Sequence, residues 1–345
     1  MGGDLVEAYS AVMISRPHSM QEKIGKPSIF FYLRLGLAVL LLAILIRMVD
    51  FRQMAVAFAS VKPHLIVAGL LIMLFNYCLK TYRWASILWI RRPDIPFGQL
   101  ARFNFASIFL GNFLPTSMSS DIVRVYYVSQ YTADPRAAIS SIFADRVIGT
   151  FSLALVTVVA FVVLKETALF PIGSLLSGGI VVFLLLILAA PLILRSATLL
   201  GGIRWLLDRC AGKKLFDNVQ DMSEHLRLYS NQAGVMTKAL LISFLNLFIA
   251  VLEIYLIAKG FSTHVSVGYF FLFVPLVIFV STLPVSFGGM GLVEGGLVLF
   301  FSRVDMPLEM CLGMALVYRA LQMTCVLAGG VIYLFNGLSA KELSV

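Results

Sequence analysis

The feature that most constrains this chain is a series of apolar runs about as long as a membrane is thick. A helix needs roughly 20 residues to cross about 30 Å of hydrocarbon. Continuous apolar runs bounded by charged, Pro or Gly residues fall at about 30–49, 64–90, 137–165, 171–194, 236–259 and 308–335. Sixty per cent of the residues are hydrophobic, and the mean hydropathy is +0.93, far from the values of globular proteins. The sequence therefore predicts an all-α polytopic membrane protein with about six full spans.

Two further apolar regions, 98–131 and 266–302, are each interrupted by a Leu-Pro-x-Ser motif. The motifs place Pro115 and Pro284 near the middle of the two regions. Each half is too short to span, and a break exposed to lipid would leave backbone groups without hydrogen bonds. We therefore expect two re-entrant helical hairpins whose breaks are buried in protein or line a wet cavity.

The distribution of Lys and Arg predicts the orientation in the membrane. If the tail 1–29 is cytoplasmic and each hairpin returns to its own side, sixteen basic residues fall inside and six outside. Basic residues accumulate on the cytoplasmic side, so both termini are expected there. Residues 30–345 would form one integral-membrane domain, in which span 171–194 and the basic loop 195–235 join two halves. The loop is either a connector or a set of interfacial helices.

A repeated spacing relates the two interrupted regions. Asp121 precedes Arg146 by 25 residues, and Glu294 precedes Arg319 by the same 25 residues. We interpret this match as an internal repeat, and a chance coincidence is the alternative.

The two repeat units would cover about 64–165 and 236–336, each with a span, a broken hairpin and a second span. In the orientation above, the first unit starts outside and the second inside, so the repeat is predicted to be inverted. Inverted repeats whose broken helices meet near the midplane are typical of alternating-access transporters.

Ionisable residues in the apolar layer are candidates for a substrate site, because each costs about 2.5–3.5 kcal/mol to insert and needs a partner or a cavity. Arginine offers a planar fork of donors that suits phosphate or carboxylate. Ser hydroxyls and flexible Gly backbone near the breaks can hold an anionic headgroup as well. The candidate substrate-binding residues are Arg83, Ser117, Asp121, Arg124, Asp145, Arg146, Glu253, Ser286, Gly288, Gly289, Glu294 and Arg319.

Pairing among themselves is the alternative role of the charged candidates. Asp121 and Arg124, three residues apart, are most simply a local helix pair. Arg83 lies near the inner end of its span and can instead reach the headgroups. The remaining alternatives are pairs of Arg146 with Asp121 or Asp145, and of Arg319 with Glu294 or Glu253. The sequence contains no nucleophile elbow, phosphate loop or metal-ligand spacing, so we expect no cofactor, no metal and no enzymatic activity.

Two motifs give the chain a resemblance to a known family. The motifs are Asn112-Phe113-Leu114-Pro115 followed by Asp121 and Arg124, and Leu283-Pro284-Val285-Ser286-Phe287-Gly288-Gly289-Met290-Gly291-Leu292-Val293-Glu294 followed by Arg319. With Ala144-Asp145-Arg146 between them, the chain resembles the membrane region of the lysylphosphatidylglycerol synthase family, also called the flippase-like or UPF0104 group, over about 30–336.

The resemblance implies a protein of the bacterial-type cytoplasmic (inner) membrane that handles lipids. This chain is expected to lack the soluble aminoacyl-transferase domain of the family's synthases. The leading hypothesis is a lipid translocator that moves an anionic or lipid-linked substrate through a polar site between the hairpins. One alternative is a non-transporting scaffold for a lipid- or glycan-modifying enzyme. Another is a membrane enzyme that acts on a lipid-linked substrate, with Asp121 or Glu294 as general acid or base.

The expected partners follow from these hypotheses. They are membrane lipids, in the form of anionic phospholipid or lipid-linked glycan, and a lipid- or glycan-modifying enzyme. The net charge of +9 is explained by Lys and Arg that flank membrane spans, so no nucleic acid is expected.

Overall fold

The computed structural model describes residues 62–112, 119–164, 229, 232–282, 291–304 and 306–335. Eight helices contain most of these residues: α1 (Pro63–Leu88), α2 (Phe97–Asn112), α3 (Ser119–Thr132), α4 (Pro135–Leu164), α5 (Ala233–Gly260), α6 (Val267–Thr282), α7 (Leu292–Phe301) and α8 (Leu308–Phe335). The described residues contain no β-strand, which confirms the all-α prediction for this part of the chain.

Four helices, α1, α4, α5 and α8, are long and apolar enough to cross a membrane. They contain 26, 30, 28 and 28 residues, or about 39–45 Å at 1.5 Å per residue. They correspond to the spans predicted at 64–90, 137–165, 236–259 and 308–335. The predicted spans 30–49 and 171–194 lie outside the described residues, as do the tail 1–29 and most of the loop 195–235.

Large apolar side chains remain exposed on the outer faces of these long helices. Such exposure is unfavourable in water, and large apolar surfaces of this kind are typical of proteins in contact with lipid. Examples on α1, α5 and α8 are Val67, Leu71, Phe75, Leu241, Phe248, Leu327 and Leu334. The outer faces of the bundle therefore suit a hydrocarbon environment.

The helix starts follow local sequence signals. Pro63 and Pro135 are the first residues of α1 and α4, positions where a missing backbone N–H costs nothing. The Asp134 carboxylate accepts a hydrogen bond of 2.9 Å from the Ala137 N–H, which satisfies one donor in the first turn of α4.

Each interrupted region forms a pair of antiparallel helices. In the α2–α3 pair, Phe103 stacks on Tyr127 with ring centroids 5.4 Å apart, and a Cβ on Gly111 would lie 2.6 Å from the Ser120 nitrogen. In the α6–α7 pair, Phe270 contacts Phe301 and Gly296 contacts Val277. The four helices have 10–16 residues, or about 15–24 Å, too short for a full span. The connections, 113–118 and 283–290, lie outside the described residues.

The two helices that begin the proposed repeat units, α1 and α5, pack antiparallel. The Lys62 N–H, just before α1, donates a hydrogen bond to the carbonyl of Gly260 at the end of α5, over 3.1 Å. Near the other end of the pair, Arg83 Nη1 donates to Ser243 Oγ at 2.8 Å. The chain therefore runs through this pair in opposite directions.

The two hairpins begin at opposite ends of the α1–α5 pair. Phe97, the first residue of α2, contacts Tyr82 near the C-terminal end of α1, with ring centroids 6.1 Å apart. Phe270, in the first turn of α6, contacts Tyr255 near the C-terminal end of α5, at 5.3 Å. Because α1 and α5 are antiparallel, these two ends lie on opposite sides of the bundle.

The main helix contacts also occur in matched pairs. The α2–α3 contact matches α6–α7, α3–α4 matches α7–α8, and α2–α8 matches α6–α4. Likewise, α1–α4 matches α5–α8, α1–α8 matches α5–α4, and α1–α2 matches α5–α6. The α1–α5 contact is its own counterpart. Exchanging the first four helices, α1 to α4, with the last four, α5 to α8, therefore leaves the set of main helix contacts unchanged.

We predict that Gly329→Ala destabilises the fold. A Cβ at Gly329 in α8 would overlap the carbonyl oxygen of Phe105 in α2, and relief of such overpacking costs about 1–3 kcal/mol. Thermal unfolding in detergent should show a lower midpoint. Gly295→Ala is the matched control, because a Cβ there meets nothing within 4 Å. Equal midpoints for wild type and Gly329→Ala would contradict the α2–α8 packing.

Candidate functional site

A buried carboxylate near the tip of the first hairpin holds two arginines. Asp121, in the first turn of α3, is 2% exposed and accepts short hydrogen bonds from Arg124 on the same helix and from Arg146 on α4. The Arg124 guanidinium also lies over the Trp84 ring, 5.1 Å from its centroid. Asp121 therefore fixes two cations beside each other and joins α3 to α4.

The second unit repeats this contact with a different acid. Arg319 Nε on α8 donates to Glu294 Oε1 on α7 at 2.5 Å, and Glu294 Oε2 accepts the Gly291 N–H at 2.8 Å. Gly291 has φ = 78°, a left-handed conformation that favours glycine. Of the predicted alternatives, Arg146 thus pairs with Asp121 and Arg319 with Glu294.

Arg83 makes a further ion pair within the first unit and a hydrogen bond to the second unit. Its guanidinium donates to both carboxylate oxygens of Asp145 on α4, at 2.7 and 3.0 Å, and to Ser243 Oγ on α5. The Arg83 side chain is 13% exposed. In the described structure it is therefore held inside the bundle by the bidentate pair and does not extend to the headgroups.

A cavity of about 310 Å³ opens between the hairpins and the α1–α5 pair. Ser120 at the start of α3 and Thr282 at the end of α6 both line it, so the inner ends of the two hairpins meet at this space. The other polar and charged lining residues are Tyr77, Lys80, Arg83, Asn104, Arg124, Asp145, Arg146, Thr150, Ser152, Ser243 and Asn246.

The cavity has an excess of positive charge. Four cations line it, on Lys80, Arg83, Arg124 and Arg146. They face two carboxylates, that of Asp145 in the wall and that of Asp121 behind it. Arg146 has the most accessible side chain of the three arginines, with 33% exposed. The site therefore carries about two positive charges that these carboxylates do not balance.

Asn246 presents an unsatisfied amide to the cavity. The residue is 4% exposed, and neither its Oδ1 nor its Nδ2 has a hydrogen-bond partner among the described atoms. Buried amide groups in proteins normally have partners, so Asn246 offers both a donor and an acceptor to a molecule in the cavity. Nearby, Gly149 leaves room beside the Arg83 guanidinium, where a Cβ would lie 3.3 Å from Nη1.

The structure brings only some of the predicted site residues together. Arg83, Arg124, Asp145 and Arg146 line the cavity, and Asp121 supports two of them. The lining residues do not include Glu253, Glu294 or Arg319. The remaining predicted residues, Ser117, Ser286, Gly288 and Gly289, lie outside the described part of the chain, as do Pro115 and Pro284.

Several site residues were not among the sequence candidates. Ser243 and Asn246 lie three residues apart on one face of α5, and this polar spacing in an apolar helix is the signal that could have identified them. Lys80, three residues before Arg83 on α1, is an ionisable residue of the apolar layer that the sequence candidates for substrate binding did not include. Within the described ranges, no group of three His, Cys, Asp or Glu side chains lies close enough to hold a metal ion.

We predict that Asp121→Asn destabilises the protein strongly. The change leaves Arg124 and Arg146 without their carboxylate, and breaking a buried pair in this way costs about 3–5 kcal/mol. The thermal unfolding midpoint in detergent should fall accordingly. Asp94→Asn is the control, because the Asp94 side chain is 54% exposed in its pair with Arg92, and its loss should leave the midpoint unchanged. A wild-type midpoint for Asp121→Asn would show that Asp121 does not organise the two arginines.

Comparison with known proteins identifies the family. The model of the family described as lysylphosphatidylglycerol synthase TM region matches residues 31–330. A UPF0104 membrane protein of Methanothermobacter thermautotrophicus is 21% identical over 313 residues, which cover 86% of this chain and 92% of that protein. Both matches agree with the resemblance noted in the sequence motifs. The chain is therefore an integral membrane protein and belongs to the lysylphosphatidylglycerol synthase TM region family.

Proposed function

We propose that the protein is a lipid translocator, which moves lipids with an anionic headgroup through the cavity between the two hairpins. The observation that carries the proposal is the cavity's composition: four cations against two carboxylates, beside an amide without a partner. Arginine binds phosphate through paired hydrogen bonds. A phosphodiester headgroup would neutralise the excess charge and complete the hydrogen bonds of Asn246.

The cavity's size fits one headgroup. Its 310 Å³ lies at the lower end of the range of roughly 300–1,000 Å³ for small-molecule sites. The headgroup of one lipid would occupy this space, while the acyl chains stay in the hydrocarbon outside the bundle.

An inverted repeat supports the transport proposal. The antiparallel α1–α5 pair, the hairpins that start at opposite ends and the matched helix contacts are all properties of two units inserted in opposite directions. We therefore take α1–α4 and α5–α8 as inverted repeats with re-entrant hairpins. In transporters of this type, substrate binds where the broken helices meet, and access alternates between the two sides.

The second unit is apolar at three positions whose counterparts line the cavity. Aligning Asp121 with Glu294 makes Leu297 and Cys325 equivalent to Arg124 and Ser152. Aligning Asn76 with Asn246 makes Met73 equivalent to Ser243. All three belong to one buried apolar cluster, whereas the three polar residues line the cavity. At these three positions the second unit is packed and apolar where the first is polar and open, as expected of a carrier with access from one side.

We place the protein in a bacterial-type cytoplasmic membrane with both termini in the cytoplasm, following the distribution of Lys and Arg. The open half of the bundle would then face the cytoplasmic leaflet. Beyond its lipid substrate, the expected partner is an enzyme that modifies lipids or glycans.

We predict that Asn246→Leu slows lipid movement without destabilising the fold. Leu has a similar volume and removes two unsatisfied buried polar atoms, so stability should stay equal or rise. Loss of a hydrogen bond to a charged headgroup costs about 1.5–3 kcal/mol, or roughly tenfold to hundredfold in rate. Movement of an acyl-labelled phosphatidylglycerol between leaflets of proteoliposomes would be followed by quenching of the outer label, and thermal unfolding would be measured on the same preparations.

Phe248→Leu is the matched control, because Phe248 lies on the outer face of the same helix and is 51% exposed. Both its rate and its midpoint should equal those of wild type. If the folded wild-type protein moves no anionic lipid, it is not a translocator. Release of a new lipid product by the pure protein would support the membrane enzyme. Unchanged movement in Asn246→Leu would contradict a headgroup site at Asn246.

We predict that the loops after α1 and α5 lie on opposite sides of the membrane. Asp94 and His264 are exposed in these loops, and the antiparallel α1–α5 pair separates them. After replacement of the four native cysteines, Asp94→Cys should react with a membrane-impermeant maleimide only in inside-out vesicles. His264→Cys should react in intact cells. Labelling of both positions from the same side would exclude the inverted repeat.

A further inference from the structure

Four carboxylates are buried in the described part of the bundle, and arginine holds three of them. Asp121 binds Arg124 and Arg146, Asp145 binds Arg83, and Glu294 binds Arg319. The fourth, Glu253 on α5, forms no ion pair with an arginine in the described structure.

Glu253 is enclosed by the protein with an incomplete set of hydrogen bonds. The residue is 3% exposed, and its Oε1 has no hydrogen-bond partner among the described atoms. An ionised carboxylate in this position would be costly, because a charge removed from water needs pairing and hydrogen bonds to offset the loss of solvation. A neutral carboxylic acid avoids most of that cost and supplies a donor. The position therefore suits a group that gains and loses a proton.

The groups that face Glu253 come from α1 and α8. Those that interact with it electrostatically are Lys80 and Tyr77 on α1, and Tyr318 and Cys325 on α8. No ion pair joins Glu253 to the described residues of α4 and α6, which also pack against α5. Next to Tyr318, Arg319 is already held by Glu294. Lys80 is thus a cation that interacts directly with the charge of Glu253.

Lys80 connects Glu253 to the cavity. It lines the cavity and interacts electrostatically with Asp145 and Arg146 there, as well as with Glu253. Lys80 is also the one cavity cation without an ion pair in the described structure. When Glu253 is ionised it partly balances Lys80. When Glu253 takes up a proton, the full charge of Lys80 acts on the contents of the cavity.

We propose that Glu253 is a proton-binding site that couples lipid movement to a proton gradient. The proposal rests on the proposed translocation of anionic lipids and adds the ion that drives it. One proton from water adds to the Glu253 carboxylate and gives a neutral carboxylic acid, so the charge around the cavity rises by one. An anionic headgroup then binds more tightly, and lipid and proton cross together. On the far side the acid releases the same proton as the headgroup leaves.

The test uses full-length protein in liposomes of phosphatidylcholine with a trace of acyl-labelled phosphatidylglycerol. A pH gradient is imposed, and the distribution of the label between leaflets is measured by quenching. One proton per singly charged lipid would drive a leaflet ratio of up to about tenfold per pH unit, with label accumulating in the alkaline-side leaflet. Acyl-labelled phosphatidylcholine should stay evenly distributed. In parallel, a pH dye enclosed in the liposomes should report proton movement when anionic lipid is distributed unequally between the two leaflets and no pH gradient is imposed.

Glu253→Gln keeps the shape of the side chain and cannot release a proton. It should lose both the leaflet ratio and the dye signal. Glu309→Gln is the matched control, since Glu309 lies at the start of α8 away from the cavity, and it should behave as wild type.

If wild type moves phosphatidylglycerol but shows neither signal, coupling is refuted and translocation stands. If wild type moves no lipid, the proposed function itself fails. A Glu253→Gln protein that keeps both signals would refute the role of Glu253, and the wild-type dye measurement decides on coupling even where this variant does not fold.

Discussion

The ion pair between Asp121 on α3 and Arg146 on α4 is the contact around which the cavity is built. Arginine inside a membrane bundle is stable only where a carboxylate or a wet cavity receives it, and here a carboxylate and a polar cavity are both present. Asp121 orients Arg146 and Arg124 together, which requires the tip of the first hairpin to lie against α4. The Asp121 contacts therefore determine both the position of the hairpin tip and the placement of two of the cavity's cations.

Antiparallel packing of α1 and α5 explains why the cavity lies between two hairpins and not beside one. Each of these helices leads into its own hairpin, and the two hairpins start from opposite ends of the pair. Helices of 16 residues then end part of the way through the bundle. Ser120 and Thr282 consequently reach the same space from opposite sides. Two short hairpins in an otherwise ordinary bundle are sufficient to create an internal polar site.

Much of this arrangement was predictable from sequence, because it depends on local length and periodicity. The four described long helices and the two interrupted pairs follow from apolar runs and Pro breaks. The sequence left two acids open as partners for each of two arginines, and the structure selects Asp121 for Arg146 and Glu294 for Arg319.

The partner of Arg83 and the role of Asn246 were not predictable in the same way. Arg83 pairs with Asp145 because α1 and α4 pack at that level, and a helix contact of this kind depends on the whole fold. Asn246 differs from an ordinary polar residue only in having no partner, which is a property of its surroundings.

In the proposed repeat, two equivalent halves carry different charges. The register that aligns Asn76 with Asn246 aligns Arg83 with Glu253. Along the other long helices, Asp145 aligns with Tyr318. In the second unit, Glu253 therefore occupies the position of Arg83, and Tyr318 occupies the position of its partner Asp145. The first unit therefore keeps a fixed ion pair, whereas the second keeps an acid beside a phenol. A fixed pair can hold the shape of a binding site, and an acid without an arginine can change its charge. In our proposal, the same fold position thus supplies structure in one half of the molecule and a site for a proton in the other.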